Sequence, residues 1–205
     1  MTYKLELLQE PFPHAIIRNF YTEEELSLIW RELEFLNSSN KLVSSEKLGT
    51  AKDHISQMLK STSYGLELDM VYGESRNISD ILTLNRKIFK KDLTEKFASL
   101  HPLMGHIQHI NLDRTKIRYY EDGQYYYPHY DLPRFTVASY FFKEPKVFTG
   151  GNLHFPEFDY TIDIENNMLV LFVGCILHTS TPLKMKPTKE KNGKYVITQF
   201  LDIRD

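Results

Sequence analysis

The spacing of apolar residues changes character along the chain. In the first half, Leu26, Ile29, Trp30, Leu33 and Leu36 recur every three or four positions, forming one stripe of a helix. Thr22 and Glu25 stand where a capping box would start that helix. Before it, residues 11–20 (PFPHAIIRNF) read as a short strand bounded by proline. Residues 78–100 return to helical spacing through Ile78, Ile81, Leu82, Ile88, Phe89, Leu93, Phe97 and Leu100, stopping ahead of His101-Pro102. Between the two helical stretches, residues 37–76 hold no period and are rich in Ser, Lys and Gly near their start, which predicts a loop and a candidate lid.

After Asn111 the pattern becomes strand-like. Strands are expected over residues 115–120, 134–143, 152–155, 160–164, 168–177 and 194–203. Turns fall at Glu121-Asp122-Gly123, Gly150-Gly151 and Glu165-Asn166-Asn167, and a lysine-rich loop fills residues 184–194. The almost unbroken apolar run 168–177 predicts a strand buried on both faces. Helices first and many short strands afterwards predict an α+β, mainly β fold, a sandwich or barrel with helices packed outside. One domain over residues 1–205 is expected, with helical support to about residue 110 and a β core from about 111 to 205.

Composition adds little to this. The 205 residues carry a net charge of -2 and are 41% hydrophobic and 25% charged, which gives no general attraction to nucleic acid or an anionic membrane. No stretch is long enough to span a bilayer and the N-terminus lacks a signal pattern, so a cytoplasmic location is expected. The single cysteine, Cys175, excludes an intramolecular disulfide and reads as a small buried hydrophobe in its apolar run.

Candidate chemistry gathers in residues 117–131, IRYYEDGQYYYPHYD. In an extended strand His129 and Asp131 point to the same face, so both can reach one metal ion. His178, at the end of the apolar run, is the candidate third ligand, and two His with one carboxylate suit a non-haem Fe(II) oxygenase. A His-x-Asp triplet alone is a weak signal, equally compatible with a strand histidine beside a surface carboxylate. His106 and His109 lack a nearby third ligand and read as scaffold.

Taken together these motifs resemble the 2-oxoglutarate- and Fe(II)-dependent dioxygenases, in their prolyl 4-hydroxylase-like branch. The matching residues are Tyr120, Gly123-Gln124, His129-Tyr130-Asp131, Thr136, Tyr140, Gly150-Gly151, Phe155-Pro156, His178 and Gly193-Lys194-Tyr195. Pro13 to Ile17 and the capped helix match the family's N-terminal start, whereas residues 37–114 match poorly. The resemblance implies a double-stranded β-helix of jelly-roll or cupin-like form, with flanking N-terminal helices. It implies that His129, Asp131 and His178 bind Fe(II), and that Lys194 anchors 2-oxoglutarate with Tyr120 and Tyr140 as hydrogen-bond donors. Oxidation of that cosubstrate by O2 to succinate and CO2 would accompany hydroxylation of a C–H bond, with ascorbate a candidate reductant.

Lys194 stands further beyond His178 than the family's anchor usually does. A lengthened loop over residues 184–192 accounts for that and leaves Lys184, Lys186 and Lys189 as competitors. The expected substrate is a protein or peptide side chain. A small molecule or nucleobase is the alternative, as is a non-catalytic β-helix protein that binds a ligand, or a cupin-like metalloenzyme without 2-oxoglutarate. Long nucleic acid and membrane partners are not expected, and the oligomeric state is left open.

Overall fold

The computed structural model describes residues 3–48, 50, 58–187 and 192–204. In chain order the strands are β1 (Lys4–Leu8), β2 (His14–Arg18), β3 (Val43–Ser44), β4 (Tyr64–Glu67), β5 (Leu112–Tyr120), β6 (Tyr126–His129), β7 (Phe135–Phe141) and β8 (Phe148–Gly150). They continue as β9 (Leu153–Phe155), β10 (Tyr160–Ile162), β11 (Met168–Val173), β12 (His178–Ser180), β13 (Leu183–Met185) and β14 (Lys194–Asp202). The α-helices are α1 (Glu23–Ser38), α2 (Leu68–Tyr72), α3 (Asp80–Asn85) and α4 (Lys91–Leu100).

Two antiparallel sheets face each other without closing into a barrel. The large sheet runs β1-β2-β11-β7-β14-β5-β4-β3, the small one β10-β9-β12-β6, and β13 pairs with β8. This is the double-stranded β-helix arrangement with helices on its outside.

Strand alternation sorts the two faces of the large sheet. On β7, Phe135, Val137 and Phe141 turn towards the helices, joining Ile117, Tyr119, Leu169, Leu171, Tyr195 and Ile197 from neighbouring strands. Helix α1 meets that face with Ile29, Leu33 and Leu36, α3 with Ile81 and Leu82, and α4 with Leu93 and Phe97. Burial of each such large side chain contributes about 1.5–3 kcal/mol. The residues between them, Ala138 and Tyr140 on β7 and Tyr120 on β5, face the small sheet and pack with Leu153, Phe155 and Phe172. The helices thus hold the large sheet from behind and leave its other face for chemistry.

The capping box at α1 is present: Thr22 Oγ1 accepts from Glu25 N at 3.2 Å, and Thr22 N donates to Glu25 Oε2 at 2.8 Å. Glu32, buried on the same helix, accepts from Tyr72 Oη, Ser79 Oγ and Ile81 N, which ties α1 to the start of α3. One buried carboxylate is therefore satisfied by three donors.

Several expectations are corrected. The helix expected over residues 78–100 is broken into 3-10 turns and the short helices α3 and α4, and Ile78 is 70% exposed. Apolar periodicity survives the breaks because each piece packs on the same sheet. Residues 37–76 are not all loop: β3, β4 and α2 lie there, and β4 pairs with β5. Residues 49 and 51–57, part of the candidate lid, lie outside the described residues. The run 168–177 is strand only to Val173, and Cys175 is exposed in the turn that follows. The first 110 residues also supply four strands of the large sheet, beyond helical support.

Candidate metal and cosubstrate site

The small sheet supplies two histidines from adjacent strands. His129 ends β6, His178 begins β12, and the two are register partners. Asp131 follows β6 by two residues, where its backbone N donates to Gly174 O at 2.9 Å and bends the chain towards β11. His178 Nε2 lies 3.3 Å from Asp131 Oδ2, and His129 Nε2 lies 3.8 Å from Asp131 Oδ1. Ligand atoms of the three side chains fall within 4.8 Å of one another, so they could hold one metal ion.

Each imidazole is oriented in the same way. Nδ1 of His129 is 2.9 Å from Tyr127 O, and Nδ1 of His178 is 2.9 Å from Ile176 O. A carbonyl only accepts, so Nδ1 carries the proton and Nε2 presents its lone pair inward. Thr136 Oγ1 donates to Asp131 Oδ2 at 2.6 Å and sets the carboxylate's angle. Burial, reinforced by repulsion from His178, pushes the His129 pKa down to about 4, which keeps its ring neutral. Burial would raise the Asp131 carboxyl, but hydrogen bonding and charge interaction with His178 and the Thr136 hydroxyl outweigh it and hold it below the usual range. A neutral His129 ring beside an ionised Asp131 carboxylate suits metal binding, which needs deprotonated ligands.

The three residues open onto a cavity of about 150 Å³ between the sheets. Lys194, first residue of β14, reaches into it from the large sheet and is fully buried. Its Nζ donates to Gly151 O at 2.6 Å and to Ser180 Oγ at 2.9 Å, and among the described residues no carboxylate pairs with it. Nζ also lies 4.4 Å from the ring centre of Tyr120 and 5.8 Å from that of Tyr140. Burial, with Lys146 adding repulsion, brings the Lys194 pKa down to about 7. Burial likewise pushes Tyr120 up to about 12 and raises Tyr140, so both phenols stay protonated donors. A buried cation with only neutral partners is costly, and a carboxylate entering the cavity would relieve it.

The structure thus brings together all six residues that the sequence singled out: His129, Asp131, His178, Lys194, Tyr120 and Tyr140. The competing Lys184 and Lys186 are exposed, Lys186 Nζ donating to Lys146 O at 3.1 Å, and Lys189 lies outside the described residues. His106 and His109 are exposed on the 3-10 segment Pro102–His109, away from the cavity. Sequence reasoning missed two residues. Ser180 stands two positions beyond His178 and Arg118 two before Tyr120, so strand alternation points to both.

Searches with family models and against curated protein sequences return no match. Solved structures do match. A prolyl-4-hydroxylase from Pseudomonas putida superposes with a TM-score of 0.57 at 14% identity, over 94% of this chain and 93% of that one. A viral collagen prolyl hydroxylase from Paramecium bursaria Chlorella virus-1, solved with 2OG, gives 0.50 at 16% identity, over 93% and 96%. The fold is that of the prolyl hydroxylases. At these identities the likeness concerns the fold, and it spans nearly the full length of both chains.

Proposed function

We propose that the protein is an Fe(II)- and 2-oxoglutarate-dependent dioxygenase that hydroxylates a C–H bond. The observation that carries this is one cavity holding both a His-Asp-His cluster with converging ligand atoms and, on the facing sheet, a fully buried lysine without an anionic partner among the described residues. His129, Asp131 and His178 would hold the metal. Lys194 would take the distal carboxylate of 2-oxoglutarate, with Tyr120 and Tyr140 as donors.

When bound, iron would let O2 act as the oxidant, one oxygen atom going into succinate as 2-oxoglutarate is oxidised with loss of CO2 and the other into the hydroxyl group of the substrate. The chain's own residues bind, orient and exclude water. Each histidine offers Nε2 because a carbonyl holds its Nδ1 proton. Thr136 keeps Asp131 turned towards the histidines. Phe172, Leu153 and Val196 give the cavity an apolar lining, in which a charge pair with Lys194 is stronger than in water. The prolyl hydroxylase fold favours a protein or peptide side chain as substrate.

The test is an anaerobic titration of apoprotein with Fe(II) and 2-oxoglutarate, following the visible charge-transfer band of the chelate. The band is expected in the natural protein and absent from folded His129→Ala and Asp131→Ala variants. A folded protein that gives no band overturns the proposal.

A further inference from the structure

The same cavity contains a second buried cation that the proposed chemistry leaves unused. Arg118 lies on β5, two residues before Tyr120, and is 7% exposed. Across the ladder it pairs with Val196, as Tyr120 pairs with Lys194. The Arg118 backbone is therefore displaced from the Lys194 end by one strand repeat, about 7 Å along the sheet. It lines the wall of the cavity that also exposes His129 and Asp131.

Its partners are all neutral among the described residues. Nη1 approaches Ser63 Oγ at 3.1 Å, Ser45 Oγ at 3.4 Å and Ser61 Oγ at 3.5 Å, and Nη2 approaches Thr50 Oγ1 at 3.3 Å. Nη1 has two hydrogens for those three hydroxyls, so the contacts are shared and long. The face of Tyr126 lies 4.7 Å from Cζ, and Tyr126 in turn stacks on His129 with ring centres 3.7 Å apart. These contacts solvate the arginine without neutralising it.

Ser61 and Ser63 are themselves fully buried. Ser61 and Ser63 share a hydrogen bond of 2.8 Å in which either oxygen can donate. They hold the guanidinium in place, and of these groups it is Arg118 that lines the cavity. The surrounding segment is held in place: Tyr127 N donates to Lys60 O at 2.7 Å, and Ser61 bridges to Tyr126.

Charge counting decides what the anion belongs to. The cavity is lined by the cations Lys116, Arg118 and Lys194 and by the carboxylate Asp131. Lys116 is already paired with Glu67 at 2.8 Å. In the proposed function, which this inference rests on, 2-oxoglutarate satisfies Lys194 with one carboxylate and the metal with the other. Arg118 remains. We infer that Arg118, held in place by Ser61 and Ser63, is the receptor for a carboxylate borne by the substrate itself, close to the carbon that is hydroxylated. Two sources share that chemistry: a small free carboxylic acid such as an amino acid, or an acidic side chain of a peptide.

The experiment is saturation-transfer NMR on the full chain, as apoprotein and as its Zn(II)–2-oxoglutarate complex. The probes are propionate, N-acetylglycine and acetyl-Gly-Glu-Gly-amide. At least one probe is expected to bind the complex, with affinity about tenfold or more lower in Arg118→Gln and largely retained in Arg118→Lys. Binding of the two small acids alone identifies a free acid as the source, and binding of the capped peptide identifies an acidic side chain. In Arg118→Gln the 2-oxoglutarate affinity should stay within about threefold, whereas Lys194→Ala should lose it. Equal probe binding by folded Arg118→Gln, or no probe binding by the natural protein, overturns the inference. An equal loss of 2-oxoglutarate affinity in Arg118→Gln and Lys194→Ala also overturns it, by placing Arg118 at the cosubstrate. If Arg118→Gln does not fold, Arg118→Met, which keeps the apolar stem and removes the charge, supplies the same comparison. A chain that takes up neither Zn(II) nor 2-oxoglutarate defeats the functional proposal, and the apoprotein titration still reads Arg118 separately.

Discussion

His129 and His178 stand directly opposite each other on β6 and β12, their ring centres 4.3 Å apart. A cross-strand pair at this spacing puts two candidate nitrogen ligands on one face of a sheet, and Asp131 adds a candidate carboxylate from the turn beyond. Loss of either ring should therefore remove metal binding without unfolding the sheet. His178→Ala is expected to lower Mn(II) affinity by at least about a hundredfold, read by paramagnetic relaxation of water, with an unchanged circular dichroism spectrum.

Thr136 acts on the candidate metal site through Asp131, to which it donates at 2.6 Å. Thr136→Val keeps the shape and deletes the donor. Metal affinity should fall about 10- to 100-fold while thermal stability changes little, and Thr136→Ser should restore most of the affinity.

The apoprotein should weaken in mild acid. The His129 pKa in the fold, about 4, lies below its ordinary value of 6.5, so between these values the unfolded chain binds the proton more readily. The stability from the neutral ring is complete above pH 6.5 and is lost as the pH falls towards 4. Asp131, also held low, adds a loss in the same direction below 3.8. Urea midpoints measured with chelator present should trace this decline, and the limb between these two pKa values should flatten in His129→Ala.

Lys194 predicts a proton balance. Its pKa of about 7 in the protein should rise when a carboxylate pairs with it, so 2-oxoglutarate binding near pH 8 should take up a proton. Calorimetry in buffers of different ionisation enthalpy measures this uptake, which should vanish in Lys194→Met. The linkage sign for the empty protein is the reverse of a stabilising lysine. With the folded pKa below the ordinary 10.5, stability increases as pH rises from about 7 to 10.5. Lys194→Met should remove that slope and leave apoprotein stability at neutral pH undiminished.

Thr22→Ala removes one half of the α1 capping box. It should cost about 1 kcal/mol in a urea melt and leave metal affinity untouched, because α1 packs behind the large sheet, away from the cavity.

The local rules of the chain were sufficient for much of this. Apolar spacing marked α1 and the longer strands, and Thr22 and Glu25 marked the helix start. The i, i+2 spacing put His129 and Asp131 within reach of each other, but through the turn after β6, which ends at His129, and not through a continuous strand. Such features depend on sterics and hydrogen bonds within a few residues, so they can be read without a partner strand. Lys194 was separable from Lys184 and Lys186 only in part, by its place at the head of an alternating run.

Tertiary structure decided the rest. Opposition of His178 to His129 depends on how β12 pairs with β6, across residues far apart in sequence. The burial of Lys194 and Arg118 follows from a second sheet covering the inner face of the first, which no local pattern encodes. The exposure of Cys175 and the breaks between α3 and α4 have the same origin: an apolar run states what can be buried, and only packing determines which residues are.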